Sequence, residues 1–264
     1  MSRRPARERL AFDITGNGDQ PLLLLHGLGA DRNQPLSLAD ATVRSRCQVL
    51  APDLRAHGAT TLDEREELLT FSQMAADVEE VISDVAPEQP LVVVGISMGA
   101  GIATQLLARG KVAIRGLVLI RPAWCWQSHP AGLFAFPHIT QLLRRDGPAK
   151  GKVRFRNSEH YASIAASSTA AADALLGQFD APKAVERAQR LTAIPASAPV
   201  RPATPDVARL VIGSEKDPVH PLSVAERVAE DLAAPLEIVS PRYDAPEHHY
   251  TQVACAIRDF VQDV

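Results

Sequence analysis

The sequence predicts an α/β fold: a mostly parallel central sheet, flanked by helices, with a helical lid inserted late in the sheet. Three observations predict it. Short apolar runs closed by Gly or Pro recur along the chain, segments with an apolar residue every three or four positions alternate with them, and one long stretch, 121–206, holds no strand-like run.

The strand candidates are 21–25, 47–51, 91–94, 117–120, 208–212 and 236–239, each Leu-rich or β-branched and each followed by a break such as His26-Gly27, Pro52-Asp53 or Gly95. Runs apolar at every position suit strands buried on both faces, as in a parallel sheet. Before them, residues 9–15 alternate and end at Gly16-Asn17-Gly18-Asp19, which predicts an antiparallel edge hairpin leading into the first buried strand. Between the strands, Phe71, Met74, Ala75, Val78 and Ile82 form one stripe of a helix over 71–85. Leu222, Ala225, Val228, Ala229 and Leu232 do the same over 222–234, as do Val253, Ile257, Phe260 and Val261 over 250–261. Within 121–206, helices are predicted at 133–145, 159–176 and 181–193. The expected division is therefore a core of 1–120 and 207–264 with a lid of 121–206 above the sheet's carboxyl edge.

Bulk properties narrow the function. The 264 residues carry a net charge of −3 with 46% hydrophobic residues, enough for one large core and without the basic bias of a nucleic-acid or anionic-membrane partner. The basic start, Arg3, Arg4, Arg7 and Arg9, is short and interrupted by Glu8, and reads as a solvated terminus. No apolar run approaches the roughly 20 residues of a membrane span, and no signal-peptide pattern is visible. Cys47, Cys125 and Cys255 are scattered and odd in number, which predicts neither zinc site nor disulfide framework and fits a reducing, cytoplasmic setting.

The strongest chemical signal is Gly95-Ile96-Ser97-Met98-Gly99, between a strand candidate and the helix-period run 100–108. A sharp strand-to-helix turn forces its serine into strained backbone geometry, so close neighbours must be glycine. The helix start then aims free N–H groups at negative charge developing beside Ser97.

With this turn, the sequence resembles the α/β-hydrolase superfamily over nearly its whole length. The resemblance rests also on His26-Gly27-Leu28-Gly29, on residues 52–58 (Pro-Asp-Leu-Arg-Ala-His-Gly), and on Gly213 to Pro221 with Asp217 inside it, each after a strand and in the family's order. It implies a serine nucleophile, Ser97, then an acid, then a histidine. Asp217, four residues past Gly213, fits the acid, and Asp206 is a weaker substitute. The family's histidine lies just before the last helix, where His248 and His249 stand side by side; helical spacing from Val253 favours His249, which falls on the inward stripe. By the same analogy the oxyanion hole is formed by the backbone N–H groups of Leu28 and Met98. His26 and His57 are expected to be structural, and His220 to pack locally at the start of its helix. His129, His138 and His160 are expected on the lid surface.

The implied reaction is hydrolysis of an ester, lactone or thioester of a small, largely apolar molecule through an acyl-enzyme, with no metal or other cofactor. The lid aromatics Trp124, Trp126, Phe134 and Phe136 are candidate substrate contacts. Carbon–carbon bond hydrolysis and a non-hydrolytic, ligand-binding role are the alternatives on this fold. The partner is expected to be a small-molecule substrate; because lid helices form dimer contacts in some relatives, a homodimer stays open.

Overall fold

The computed structural model describes residues 9–85, 90–203 and 207–264. Asp206 and most of the basic start lie outside them.

Seven strands form one sheet: β1 (Phe12–Thr15), β2 (Gln20–Leu25), β3 (Cys47–Pro52), β4 (Leu91–Ile96), β5 (Ile114–Ile120), β6 (Ala208–Ser214) and β7 (Leu236–Val239). Their order is β1-β3-β2-β4-β5-β6-β7, and every pair is parallel except β1 with β3. The α-helices are α1 (Asn33–Leu36), α2 (Ala41–Arg46), α3 (Phe71–Val85), α4 (Met98–Arg109), α5 (Phe136–Arg156), α6 (Glu159–Ala165), α7 (Thr169–Asp180), α8 (Arg190–Ala196), α9 (Leu222–Leu232) and α10 (Pro246–Asp263).

Alternate residues of the central strands enter opposite cores, because successive side chains of a strand point to opposite faces. Leu23, Leu25, Val93, Leu117 and Leu119 pack on one face with α3, α4, α9 and the insertion. Leu22, Leu24, Val94, Val118 and Ile120 pack on the other with α2 and α10. The wholly apolar strand runs thus follow from burial on both faces.

Two expectations need correction. The edge strand β1 is antiparallel, but it pairs with β3, so no hairpin joins it to β2. The turn instead presses onto the end of α2: a Cβ on Gly16 would lie 2.2 Å from the Cys47 carbonyl oxygen, and one on Gly18 would lie 1.8 Å from the carbonyl carbon of Arg46. The segment between β5 and β6 is mostly helical among its described residues, but its helices differ from those predicted. α5 kinks at Gly147-Pro148, Ser168 caps a new helix inside 159–176, and 181–189 is mostly turn before α8. No helix among the described residues is long and apolar enough to cross a membrane.

Candidate active site

Ser97 sits where β4 hands over to α4, with φ 52° and ψ −106°. Such a conformation is strained for a residue with a side chain. Its neighbours show why the turn needs glycine. A Cβ on Gly95 would meet the Gly99 carbonyl oxygen at 2.3 Å, and one on Gly99 would meet the Leu25 carbonyl oxygen at 2.3 Å. The Ser97 N–H extends the ladder to the Ile120 carbonyl at 2.9 Å, which anchors the strained residue to β5.

The ring nitrogen against Ser97 belongs to His220: its Nε2 is 2.9 Å from Ser97 Oγ. Its Nδ1 lies 3.1 Å from Asp217 Oδ2. Asp217 and His220 share one tight turn between β6 and α9, in which Asp217 Oδ1 accepts the N–H groups of Val219 at 3.0 Å and His220 at 2.9 Å. Folding the chain back onto its own carboxylate in this way carries the imidazole from the end of β6 toward Ser97. Arg121, at the end of β5, donates from Nη1 to Asp217 Oδ2 at 2.9 Å. Ser97, Arg121, Asp217 and His220 are all buried.

Charge states follow from this packing. Burial pushes the Asp217 carboxyl up, but His220 and Arg121 push it down further and hold it well below the usual carboxylate range. Burial lowers the His220 pKa, Asp217 opposes that, and Arg121 adds to it. A neutral His220 beside an ionised Asp217 keeps its proton on Nδ1, because the carboxylate can only accept, whereas the Ser97 hydroxyl can donate. Nε2 is then left as the acceptor for the Ser97 hydroxyl.

The ring expected against Ser97, that of His249 or His248, is therefore not the one the structure places there. His249 is on the inward stripe, as the spacing predicts, and is 2% exposed. Its Nδ1 donates to the Ser240 carbonyl oxygen at 2.9 Å, tying α10 to the end of β7. His248 is exposed. His220, expected to pack locally at the start of its helix, stands instead in the turn before α9, and its ring reaches Ser97. The available signal was Asp217-Pro218-Val219-His220-Pro221: a histidine three residues beyond the acid, held between two prolines at the sheet's carboxyl edge.

A cavity of about 180 Å³ opens over Ser97. Leu28 and Gly29 line one wall, Phe136 and Leu175 of the insertion another, and Arg121 and Arg242 a third. Of the four aromatics expected there, only Phe136 lines it. Trp124 is buried edge-to-face on Phe71, with ring centres 5.0 Å apart. Trp126 donates its indole N–H to Asp231 at 2.9 Å, and Phe134 is 42% exposed, stacked on His160. The elements carrying these residues turn them into helix contacts or toward solvent. Met98 holds the first position of α4, where a backbone N–H has no intrahelical partner.

Two other buried histidines shape the loop that carries Leu28. His26 donates from Nδ1 to the Gly27 carbonyl at 2.8 Å and accepts the Leu54 N–H on Nε2 at 3.0 Å. His57 donates from Nδ1 to the Arg55 carbonyl at 2.8 Å and accepts the Gly29 N–H on Nε2 at 3.1 Å. Protonating either ring would turn an acceptor into a donor facing an N–H. Burial pushes His26 down to about 4 and lowers His57 well below its ordinary value. Both pKa values are depressed on folding, so the unfolded chain binds more protons as pH falls below 6.5. Stability is thus fully present above pH 6.5 and is lost as pH falls toward about 4. The urea midpoint is expected to be lower at pH 5 than at pH 7.5; an equal or higher midpoint at pH 5 would contradict this assignment of neutral rings.

Comparison with known proteins follows the same lines. The model of the Alpha/beta hydrolase family matches residues 22–261. Protein phosphatase methylesterase 1 of Rattus norvegicus and of Homo sapiens is each 36% identical over 115 residues, covering 40% of this chain. The chain matches only 28% of the length of those relatives. Among solved structures, a hydrolase from Oleispira antarctica superposes with a TM-score of 0.74 at 19% identity, over 97% of this chain and 96% of its own. A thermophilic esterase from Thermogutta terrifontis superposes with a TM-score of 0.69 at 21% identity, over 96% and 93%. These two likenesses bear on the fold alone.

Proposed function

Because this chain belongs to the alpha/beta hydrolase family, we propose that it hydrolyses a small carboxylic ester, lactone or thioester through an acyl-enzyme on Ser97. The observation that carries the reading is the 2.9 Å approach of His220 Nε2 to Ser97 Oγ, with Asp217 behind the same ring.

His220 Nε2 takes the hydroxyl proton as Ser97 Oγ attacks the carbonyl carbon. Asp217 stabilises the imidazolium that forms. The negative oxygen of the tetrahedral intermediate is held by the N–H groups of Leu28 and Met98, each worth about 3 kcal/mol of barrier in enzymes of this kind. The imidazolium then gives its proton to the departing oxygen or sulfur, and the acyl group stays on Ser97. Water, deprotonated by the same Nε2, attacks the acyl carbon; the bond to Ser97 Oγ breaks, Oγ takes the proton back from the imidazolium, and the acid leaves. The insertion acts as a lid: Phe136 and Leu175 line the cavity over Ser97 and would narrow its access to water.

The test is labelling by a fluorophosphonate together with turnover of short-chain p-nitrophenyl esters. The parent is expected to do both, and Ser97→Ala neither, with turnover lower by about 10⁵-fold or more. A folded parent that is neither labelled nor active would overturn the reading and favour a ligand-binding role.

A further inference from the structure

Among the described residues, the cavity over Ser97 is walled by two arginines, Arg121 and Arg242, and by no aspartate or glutamate. Several buried or half-buried arginines of this chain are matched to acids, Arg55 with Asp77, Arg109 with Glu79 and Arg187 with Glu64, while Arg44 and Arg190 bond only hydroxyl or carbonyl oxygens and do not line this cavity. Arg242 lines it and is not matched to an acid among the described residues. Its Nη1 donates to the Tyr250 hydroxyl at 2.7 Å, and its guanidinium lies 5.7 Å from the Tyr243 ring centre and 5.1 Å from that of Tyr250. It makes no ion pair with a carboxylate among the described residues. Its backbone N–H is also fixed, on Ser214 Oγ at 3.2 Å. A cation is thus held at the cavity wall without a counter-ion among the described residues.

Arg121 is the second observation. It is 4% exposed, and its Nη1 serves Asp217, but its buried Nε has no hydrogen-bond partner among the described residues. A buried donor left unpaired is costly, and an anion entering from the cavity would lower that cost. Asp217 neutralises one positive charge; the other remains for whatever occupies the cavity. A guanidinium reads a planar carboxylate through paired N–H donors.

We propose that the substrate of this site is a small ester carrying a free carboxylate, which Arg242 binds with Arg121 beside it. This rests on the serine-hydrolase reading for its chemistry. The carboxylate is not itself transformed; it orients the ester carbonyl over Ser97. The cavity of about 180 Å³ has room for a molecule of a few carbons. The carboxylate can belong to the acid half, as in a half-ester of a short dicarboxylic acid, or to the alcohol half, as in an ester of a hydroxy acid.

Two isosteric pairs separate these sources: monomethyl succinate against methyl 4-methylpentanoate, and O-acetylglycolate against isobutyl acetate. The parent is expected to favour the charged member of at least one pair by about tenfold or more in kcat/KM, the effect of a charge-assisted hydrogen bond. Arg242→Gln is expected to remove most of that preference through KM, and Arg242→Glu to invert it. Added salt should weaken it. A binding arm needs no turnover: Ser97→Ala protein is expected to bind monomethyl succinate or O-acetylglycolate by calorimetry, and the Ser97→Ala, Arg242→Gln double variant to lose that binding. Equal rates on both members of both pairs, with Ser97 labelled and the neutral esters turned over, would overturn the carboxylate site and leave the hydrolase reading standing. Absent labelling and turnover would remove the hydrolase reading, and absent binding in the calorimeter would then remove the carboxylate site as well.

Discussion

Asp217→Asn is expected to lower kcat/KM on any ester the parent hydrolyses by about 10⁴-fold, the size of effect seen when a triad carboxylate elsewhere is made an amide. The reason is the tautomer of His220. Asp217 Oδ2 accepts from His220 Nδ1 at 3.1 Å and from Arg121 Nη1 at 2.9 Å, while Oδ1 accepts two backbone N–H groups. An amide oxygen can keep the backbone pair, but the amide nitrogen then faces Nδ1 as a donor. His220 would move its proton to Nε2 and point it at Ser97, which it could no longer deprotonate. Arg121 Nη1, 3.4 Å from Nδ1, would reinforce that tautomer. The same change leaves the buried guanidinium of Arg121 without its carboxylate, at a cost of about 3–5 kcal/mol of stability. Kinetics at pH 7.5 and a urea titration read the two effects separately. An Asp217→Asn protein within tenfold of the parent in kcat/KM would show that the carboxylate does not set the state of His220.

Much of this architecture is legible in the sequence because burial writes a simple pattern. Strands covered on both faces must be apolar at every position, so 21–25, 91–94 and 117–120 stand out, and the helix over 71–85 shows its single stripe. The partner of β1 was not legible, because an alternating edge strand suits either neighbour, and the choice is made by Gly16 and Gly18 packing on the end of α2. The insertion helices were misread where Ser168 caps a new helix and where 181–189 turns without forming one. Local chemistry and tertiary contact decide such boundaries more than periodicity does.

The site divides in the same way. Ser97 and Asp217 stand out because each follows a strand in a recognisable motif, whereas His220 is brought to Ser97 by a backbone turn around Asp217 that helical spacing does not describe. His249 satisfied the spacing and is buried, but its ring serves Ser240. The aromatic residues Trp124 and Trp126 suggested an apolar pocket by composition alone; their partners, Phe71 and Asp231, are distant in sequence and could not be read from it.

The choice of histidine is therefore the claim on which the rest depends. A neutral His220, its pKa lowered by burial and its Nε2 on the serine hydroxyl, can take a proton at neutral pH. His249 has spent its Nδ1 proton on the Ser240 carbonyl, and burial lowers it to about 4, so it also stays neutral, but it holds two elements together without touching Ser97 in this structure. Replacing the base of a serine triad removes most of its rate, commonly about 10⁶-fold, because serine and histidine act as one unit. Replacing a structural histidine by glutamine, which can still donate to a carbonyl, is expected to change the rate by less than about tenfold. The direct measurement is the second-order rate of fluorophosphonate labelling of Ser97 in His220→Gln and His249→Gln, each first shown to be folded. The expected result is labelling lowered by about 10³-fold or more in His220→Gln and near the parent rate in His249→Gln. Labelling kept in His220→Gln and lost in His249→Gln would contradict the account.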